Sequence, residues 1–246
     1  MIAWLEGEPA INRVITMKKY NKIKKILFTA ICGGLFIACQ QPHNVNDPLQ
    51  VLCLGNSITK HPIKEDIEWF SDWGMAASNI EYDYCHQLEK MLCKYHPNST
   101  VTPLNIASWE RNLSCDIDSL IGSYCKNKDI IIIRLGENVQ DVTTFPDAIS
   151  RLVKYCQSKA KRVIITGCFW KNDSKERSII HAARTNDLTY VPLYWIDNLY
   201  NVRPQIGDTL YDINKKPYVI TQDFIITHPN DEGMQMIAET IWGVIR

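Results

Sequence analysis

Three residues, Ser57, Asn138 and His228, are of the types that together cleave esters through a covalent intermediate. A serine hydroxyl attacks a carbonyl once a base takes its proton, and histidine accepts and returns a proton near neutral pH. A side-chain amide stabilises the negative charge that develops on the attacked oxygen. Each residue alone has an ordinary structural explanation. Ser57 fits a loop or a helix cap, Asn138 fits a turn, and His228 fits a residue that leads into a helix. Their positions relative to the surrounding elements decide between these explanations.

Short apolar runs rich in β-branched residues alternate with helix-like stretches along the chain. We expect strands at residues 50–54, 101–106, 129–135 and 162–166, of which the second is interrupted by Pro103. Helices are predicted at residues 75–95, 116–125, 148–159, 175–185 and 231–245, with a less regular region at residues 190–222. This alternation is typical of a parallel sheet with helices on both faces. The sequence therefore predicts a single α/β domain.

The three candidate residues lie where the predicted strands end. Ser57 follows the first strand, Asn138 follows the third, and His228 lies in the last loop before the closing helix. Open α/β sheets bind their ligands at the carboxyl ends of the strands. We therefore expect all three side chains at one rim of the sheet. Three residues with unrelated structural roles would not be expected to meet at the same rim.

Three segments of the chain resemble the sequence blocks of the SGNH (GDSL-like) hydrolase family, and the resemblance covers residues 48–246. They are Gly55-Asn56-Ser57-Ile58-Thr59, Gly136-Glu137-Asn138, and His228-Pro229-Asn230-Asp231-Glu232-Gly233-Met234. The resemblance implies a three-layer, flavodoxin-like α/β fold with a central parallel sheet and helices on both faces. It makes Ser57 the nucleophile and His228 the base, with an oxyanion hole built from the Asn138 amide and the Ser57 backbone N–H. Thr59 replaces the second glycine of a G-x-S-x-G elbow, which disfavours the α/β-hydrolase fold.

Two departures from the family pattern leave alternatives open. The block that normally supplies a glycine N–H has no glycine here, so Ala107 or Ser108 is the candidate third oxyanion donor. The position three residues before the histidine, where the family's acid usually lies, is Ile225. Asp223 is the candidate acid if the loop bends. Otherwise a backbone carbonyl orients the ring, and this Ser57–His228 dyad is the favoured interpretation.

Other residues of the same region have less specific interpretations. We expect Asp231 to cap the closing helix rather than to contact the histidine. The tryptophans near the predicted rim, among them Trp73 and Trp109, are candidates for stacking on sugar faces. The alternative is that they pack the structure under the loops.

The first 39 residues read as an N-terminal extension and a lipoprotein-type signal peptide. A lysine-rich segment at residues 18–25 precedes 13 apolar residues that end at Ala38, too few to span a membrane. Cys39 is the predicted site of lipidation, Met17 is the suspected true start, and residues 40–47 form a polar tether before the domain at residues 48–246. A plain signal peptide is the alternative. These features predict export and a lipid anchor in the membrane of the cell envelope.

Charge and cysteine content exclude several classes of function. The whole chain has 27 basic and 27 acidic residues, and residues 40–246 alone have 21 and 25, so no basic excess indicates nucleic acid. Seven cysteines follow the signal segment without a CxxC pair or zinc spacing. We therefore expect no metal and no cofactor, and Cys115–Cys125 is one candidate disulfide.

Together these observations predict a secreted, lipid-anchored serine esterase that hydrolyses small acyl esters, with O-acetyl groups on carbohydrates as a candidate substrate. Its expected partners are an acylated small molecule or glycan and a membrane. A glycan-binding protein of SGNH fold with weak or lost catalysis is the alternative, since the acid and the glycine are missing. A purely structural envelope lipoprotein is a third hypothesis, which only the signal segment favours.

Overall fold

The computed structural model describes residues 47–246; the predicted signal segment, Cys39 and the tether up to residue 46 lie outside the described residues. Five parallel strands form the central sheet in the order β2-β1-β3-β4-β5. They are β1 Gln50–Gly55, β2 Thr100–Asn105, β3 Lys128–Ile133, β4 Ala160–Thr166 and β5 Thr189–Val191. This is the strand order of flavodoxin-like sheets, in which the chain reverses direction across the sheet between β1 and β3.

Within residues 47–246, six α-helices connect and cover the strands. They are α1 Tyr84–Cys93, α2 Ala107–Arg111, α3 Ile117–Ile121, α4 Phe145–Gln157, α5 Asp173–Thr185 and α6 Asp231–Ile245. Short 3-10 turns occur at Glu65–Ile67, Ile80–Tyr82, Ile196–Asn198 and Ile225–Thr227. An antiparallel hairpin, β6 Thr209–Tyr211 with β7 Pro217–Val219, lies within the region that the sequence predicts as irregular.

The strands divide the interior into two apolar cores because their side chains alternate between the faces of the sheet. Val51 and Cys53 belong to the core beneath α1 and α6. Leu52 and Leu54 belong to the core beneath α4 and α5. Both faces of the sheet are therefore covered, which explains why its strands read as continuous apolar runs. The predicted three-layer α/β fold is confirmed.

The helix predicted at residues 75–95 is shorter than expected. Ala76 has a positive φ of 73°, and α1 begins only at Tyr84. The Asp83 carboxylate caps this helix by accepting a hydrogen bond from the backbone N–H of His86 at 2.8 Å. The residues before it instead form a loop that packs beside the nucleophile turn, where the backbone N–H of Met75 donates to the Ser57 carbonyl at 2.8 Å.

The predicted cap of the closing helix is wrong by one residue. Asn230, not Asp231, caps α6, because its side-chain oxygen accepts from the backbone N–H of Gly233 at 3.0 Å. Asp231 instead accepts two hydrogen bonds from Ser78, from its backbone N–H at 2.7 Å and from its hydroxyl at 2.6 Å. The carboxylate thereby joins the start of α6 to the loop that packs beside Ser57.

All seven cysteines within residues 47–246 are free thiols, so the candidate Cys115–Cys125 disulfide is not formed. The same part of the chain has no cluster of three side chains suited to hold a metal ion. None of its helices has the length and apolar character needed to cross a membrane.

Candidate active site

Ser57 lies in a tight turn immediately after β1. The backbone N–H groups of Thr59 and Lys60 both donate to the Asn56 carbonyl, at 2.9 and 3.0 Å. Gly55 is needed at the entry to this turn, since a Cβ there would lie 1.8 Å from the Thr59 hydroxyl oxygen. The turn directs the half-buried Ser57 toward a cavity at the carboxyl rim of the sheet.

The hydroxyl of Ser57 contacts the imidazole of His228. Ser57 Oγ and His228 Nε2 are 2.9 Å apart, although 171 residues separate them in the chain. The other ring nitrogen, Nδ1, lies 3.0 Å from the carbonyl oxygen of Phe224. A carbonyl oxygen only accepts hydrogen bonds, so we assign the ring proton to Nδ1. Nε2 is then free to accept the serine proton, as a general base must.

Burial keeps His228 neutral. The side chain is 4% exposed, and burial lowers the pKa of His228 from 6.5 to about 4. The hydrogen bond to Phe224 and the negative charge of Glu137 oppose this shift, and the positive charge of Arg134, with that of His61 when it is protonated, adds to it. At neutral pH the ring is therefore a neutral base rather than an imidazolium.

The pKa of His228 predicts how any activity of this site depends on pH. We expect kcat/KM to be constant at neutral pH and to fall tenfold per pH unit below about 4, because only the neutral ring accepts the serine proton.

The free energy of unfolding also falls as the pH is lowered. The unfolded histidine binds a proton below 6.5 and the folded one only below about 4, so the contribution of His228 to stability is lost as the pH falls through that window.

A pH-rate profile, with circular dichroism at each pH to separate protonation from unfolding, checks this prediction. An acid limb centred near 6.5 in the folded protein would contradict it.

The structure does not bring Asp223 to the histidine. Asp223 is exposed and has no hydrogen bond or ion pair within residues 47–246. The 3-10 turn Ile225–Thr227 carries the chain from Phe224 to His228 and leaves the Phe224 carbonyl, not a carboxylate, against Nδ1. The geometry is therefore that of a Ser57–His228 dyad oriented by the backbone.

The candidate oxyanion donors differ in their availability. Asn138 lines the same cavity as Ser57; its side-chain nitrogen donates to Glu110 at 2.7 Å, which leaves its second N–H unused. Ala107 is not available, because its N–H donates to the side chain of Asn105 at 2.8 Å. In the described chain the backbone N–H groups of Ser108 and Ser57 have no acceptor. The cavity therefore has three hydrogen-bond donors, from Ser57, Asn138 and Ser108. The prediction that Ala107 is an oxyanion donor is wrong.

A buried carboxylate orients the Asn138 amide. Glu110 is 1% exposed and accepts hydrogen bonds from the backbone N–H of Gly136 at 2.6 Å and from both nitrogens of Asn138. Burial raises the pKa of Glu110, and the negative charge of Glu137 raises it further. The carboxylate acts through Asn138 and does not line the cavity, so Glu110 is a positioning residue.

A buried ion pair lies beneath the nucleophile turn. Arg134 is completely buried, and its guanidinium donates to Glu137 at 2.7 Å and to the side-chain oxygen of Asn56. Glu137 also accepts from the Asn56 side-chain nitrogen at 2.7 Å and from the Phe169 N–H at 2.9 Å. Burial acts to raise the pKa of Glu137, but Arg134 and these hydrogen bonds outweigh it and hold the pKa below its usual value. The residue before the nucleophile is thereby fixed by two charged groups of the loop that follows β3.

The cavity above Ser57 has a volume of about 820 Å³, within the range of ligand pockets. Trp170 contributes an aromatic wall and lies perpendicular to the His228 ring, with the ring centres 5.3 Å apart. The prediction that Trp73 and Trp109 contact substrate is wrong. Both are buried, at 4% and 0% exposure, because Trp73 packs against Trp69 and Trp109 against Phe145.

Sequence reasoning missed Arg134 and Glu110 as parts of the site, although each carried a signal. Arg134 is a lone charge within the apolar run Ile130–Leu135, and a charge in a buried strand needs a partner. Glu110 follows a strand end, in the same segment as the candidate backbone donors Ala107 and Ser108. Its role depends on a contact with Asn138, which sequence spacing does not reveal.

Solved structures resemble this chain, whereas no known family profile and no curated protein matches its sequence. An acetylxylan esterase from Geobacillus stearothermophilus superposes with a TM-score of 0.54 at 13% identity, over 82% of this chain and 95% of that one. LAE5, an α/β hydrolase enzyme from the metagenome of Lake Arreo, Spain, has a TM-score of 0.54 at 13% identity, over 80% and 95%. A protein described as lipolytic and of the G-D-S-L family, from Desulfitobacterium hafniense, has a TM-score of 0.50 at 13% identity, over 79% and 98%. The chain thus has the fold of SGNH (GDSL-like) hydrolases.

Proposed function

We propose that this protein is a serine esterase that removes small acyl groups, with O-acetylated carbohydrate as its substrate. The observation that carries the proposal is the 2.9 Å contact between Ser57 Oγ and the neutral, buried His228 Nε2 at an open cavity. A serine and a base within hydrogen-bond distance, with the base oriented by a third group, are the signature of an activated nucleophile.

The reaction follows from these groups. Ser57 Oγ attacks the ester carbonyl carbon while His228 Nε2 takes its proton, and the oxyanion accepts hydrogen bonds from Asn138 and the backbone N–H groups of Ser57 and Ser108. The bond to the alcohol oxygen then breaks, and His228 returns the proton to that oxygen. Water attacks the acyl-serine in the second half, again losing its proton to His228. The proton returns to Ser57, and the acid is released.

The carbohydrate part of the proposal has two supports. A solved structure of the same fold is described as an acetylxylan esterase. The cavity of this chain offers polar groups around the reacting serine and two aromatic side chains, Trp170 and Phe224, which suit a hydroxyl-rich ring with apolar faces.

We also propose that the protein is exported and held at a membrane by a lipid on Cys39. The support is the sequence alone: the lysine-rich segment, the short apolar stretch and the Leu35-Phe36-Ile37-Ala38-Cys39 motif. Such an anchor would place the esterase in the cell envelope.

Acetate release from acetylated xylo-oligosaccharides and from p-nitrophenyl acetate tests the proposed activity. We expect the purified protein to release acetate from both substrates. Ser119→Ala, which replaces an exposed serine of α3, is the matched control and should leave the rate unchanged.

Retention on an acetylated-glycan column without release of acetate would contradict the esterase proposal. That result would favour the glycan-binding alternative, for which the structure offers no separate observation.

A further inference from the structure

The cavity above Ser57 is unevenly charged. Among the residues that line it, Lys64 and Arg111 carry positive charge, and none is an aspartate or glutamate. The buried carboxylates of Glu110 and Glu137 are occupied by the hydrogen bonds of Asn138, Asn56 and Arg134 and do not reach the cavity surface. A substrate therefore meets a positive wall beside the nucleophile.

Arg111 is the less neutralised of the two cations. It ends α2, its side chain is exposed, and within residues 47–246 its guanidinium has no ion-pair or hydrogen-bond partner. Lys64 is paired with Asp66 at 3.5 Å, but both side chains are more than half exposed, at 51% and 69%, so water screens that pair. Arg111 thus has five N–H donors without a protein acceptor beside the reacting serine.

The positive charges of Lys64 and Arg111 both affect a group that lines the cavity. Burial lowers the pKa of His61, and the positive charges of Lys64 and Arg111 lower it further. His61 lines the cavity together with Ser57, so these cations produce a positive potential where the substrate binds. Clefts lined by one sign of charge concentrate ligands of the opposite sign.

Resting on the proposed esterase function, we propose that this cavity selects acyl esters whose alcohol carries a negative charge, with Arg111 as the group that binds the anion. An acetyl group is neutral, so the charge must lie on the sugar, as the carboxylate of a uronic acid or as a sulfate. The planar guanidinium binds either group through two parallel hydrogen bonds. Arg111 is then a specificity residue, placed one helical turn from the Ser108 backbone donor.

Matched substrates test the proposal. The same hydroxyl is acetylated on methyl glucuronoside, methyl glucoside and a sulfated methyl glucoside, and kcat/KM is measured for each at low salt. Charge-assisted, bidentate hydrogen bonds between a guanidinium and a carboxylate or sulfate are stronger than neutral ones, and water screens part of this gain at an exposed arginine. We therefore expect an anionic ester to be preferred over the neutral one by roughly tenfold or more, and comparison of the uronate with the sulfate identifies the anion.

Arg111→Gln should reduce that preference about tenfold. The control is Arg184→Gln, an exposed arginine in the last turn of α5 that does not line the cavity, and it should keep the preference. Rising salt should weaken the preference, because exposed charges are screened.

Two results would overturn the inference in distinguishable ways. Equal kcat/KM values for the charged and neutral sugars, with p-nitrophenyl acetate still hydrolysed, would refute anion selection and leave the esterase proposal intact. Failure to hydrolyse p-nitrophenyl acetate would refute the esterase proposal, and the inference with it.

Discussion

Ser57→Ala should remove nearly all of the ester hydrolysis activity. Removing the nucleophile from a serine hydrolase costs on the order of 10⁶-fold in kcat, since the remaining groups have no attacking atom to assist. The fold should be unaffected, because the side chain of Ser57 is only half-buried and its one hydrogen-bond partner is His228. Initial rates on p-nitrophenyl acetate, with circular dichroism of both proteins, measure the effect.

Asp223→Ala is the informative companion to that variant. In a Ser-His-Asp triad, loss of the carboxylate costs about 10⁴-fold. Here Asp223 is exposed, and the Phe224 carbonyl orients His228, so we expect Asp223→Ala to keep most of the activity. His228→Ala should be as inactive as Ser57→Ala. An Asp223→Ala protein that is folded but as inactive as the serine variant would refute the dyad.

Arg134→Met should be the most destabilising substitution of this site. It leaves Glu137 as a buried carboxylate without its counter-charge, and it removes a donor to Asn56 beneath the nucleophile turn. Breaking a buried ion pair by removing one partner costs about 3–5 kcal/mol. The free energy of unfolding, from urea titration at neutral pH, measures the loss.

A second substitution identifies the cause of that loss. If the unpaired charge is responsible, Arg134→Met combined with Glu137→Gln should be more stable than the sum of the single changes predicts, by about 0.5–3 kcal/mol. Lys126→Met, at an exposed position before β3, controls for the loss of a cation and should change stability little. A cost below about 1 kcal/mol for Arg134→Met would show that the buried pair is not needed for folding.

The parts of the site that local pattern determines were predictable from the sequence. Continuous apolar runs identified the strands, and the polar residues after them identified the rim at which Ser57 and His228 meet. This works because a parallel sheet brings the carboxyl ends of its strands together whatever the lengths of the connections.

The parts that depend on side-chain burial were not predictable. Trp73 and Trp109 follow the same pattern as Trp170, yet the first two pack inward and only Trp170 lines the cavity. An aromatic residue near a strand end can face either way, and loop geometry decides which. The predicted N-cap of α6 was wrong for a similar reason. Asn230 and Asp231 are adjacent, and both residue types are suited to cap a helix.

The Phe224 carbonyl that holds His228 belongs to the main chain, and every amino acid at position 224 would provide it. What orients the base is therefore chiefly the number of residues in the single turn between positions 224 and 228, and the Thr227 hydroxyl, 3.3 Å from Nδ1, adds a second contact. Substitutions at the exposed position 224 are expected to keep the carbonyl contact, whereas the insertion or deletion of one residue in the turn would rotate the ring away from the serine. A search for sites of this kind that requires a carboxylate would pass over this one, and a search by backbone geometry would find it.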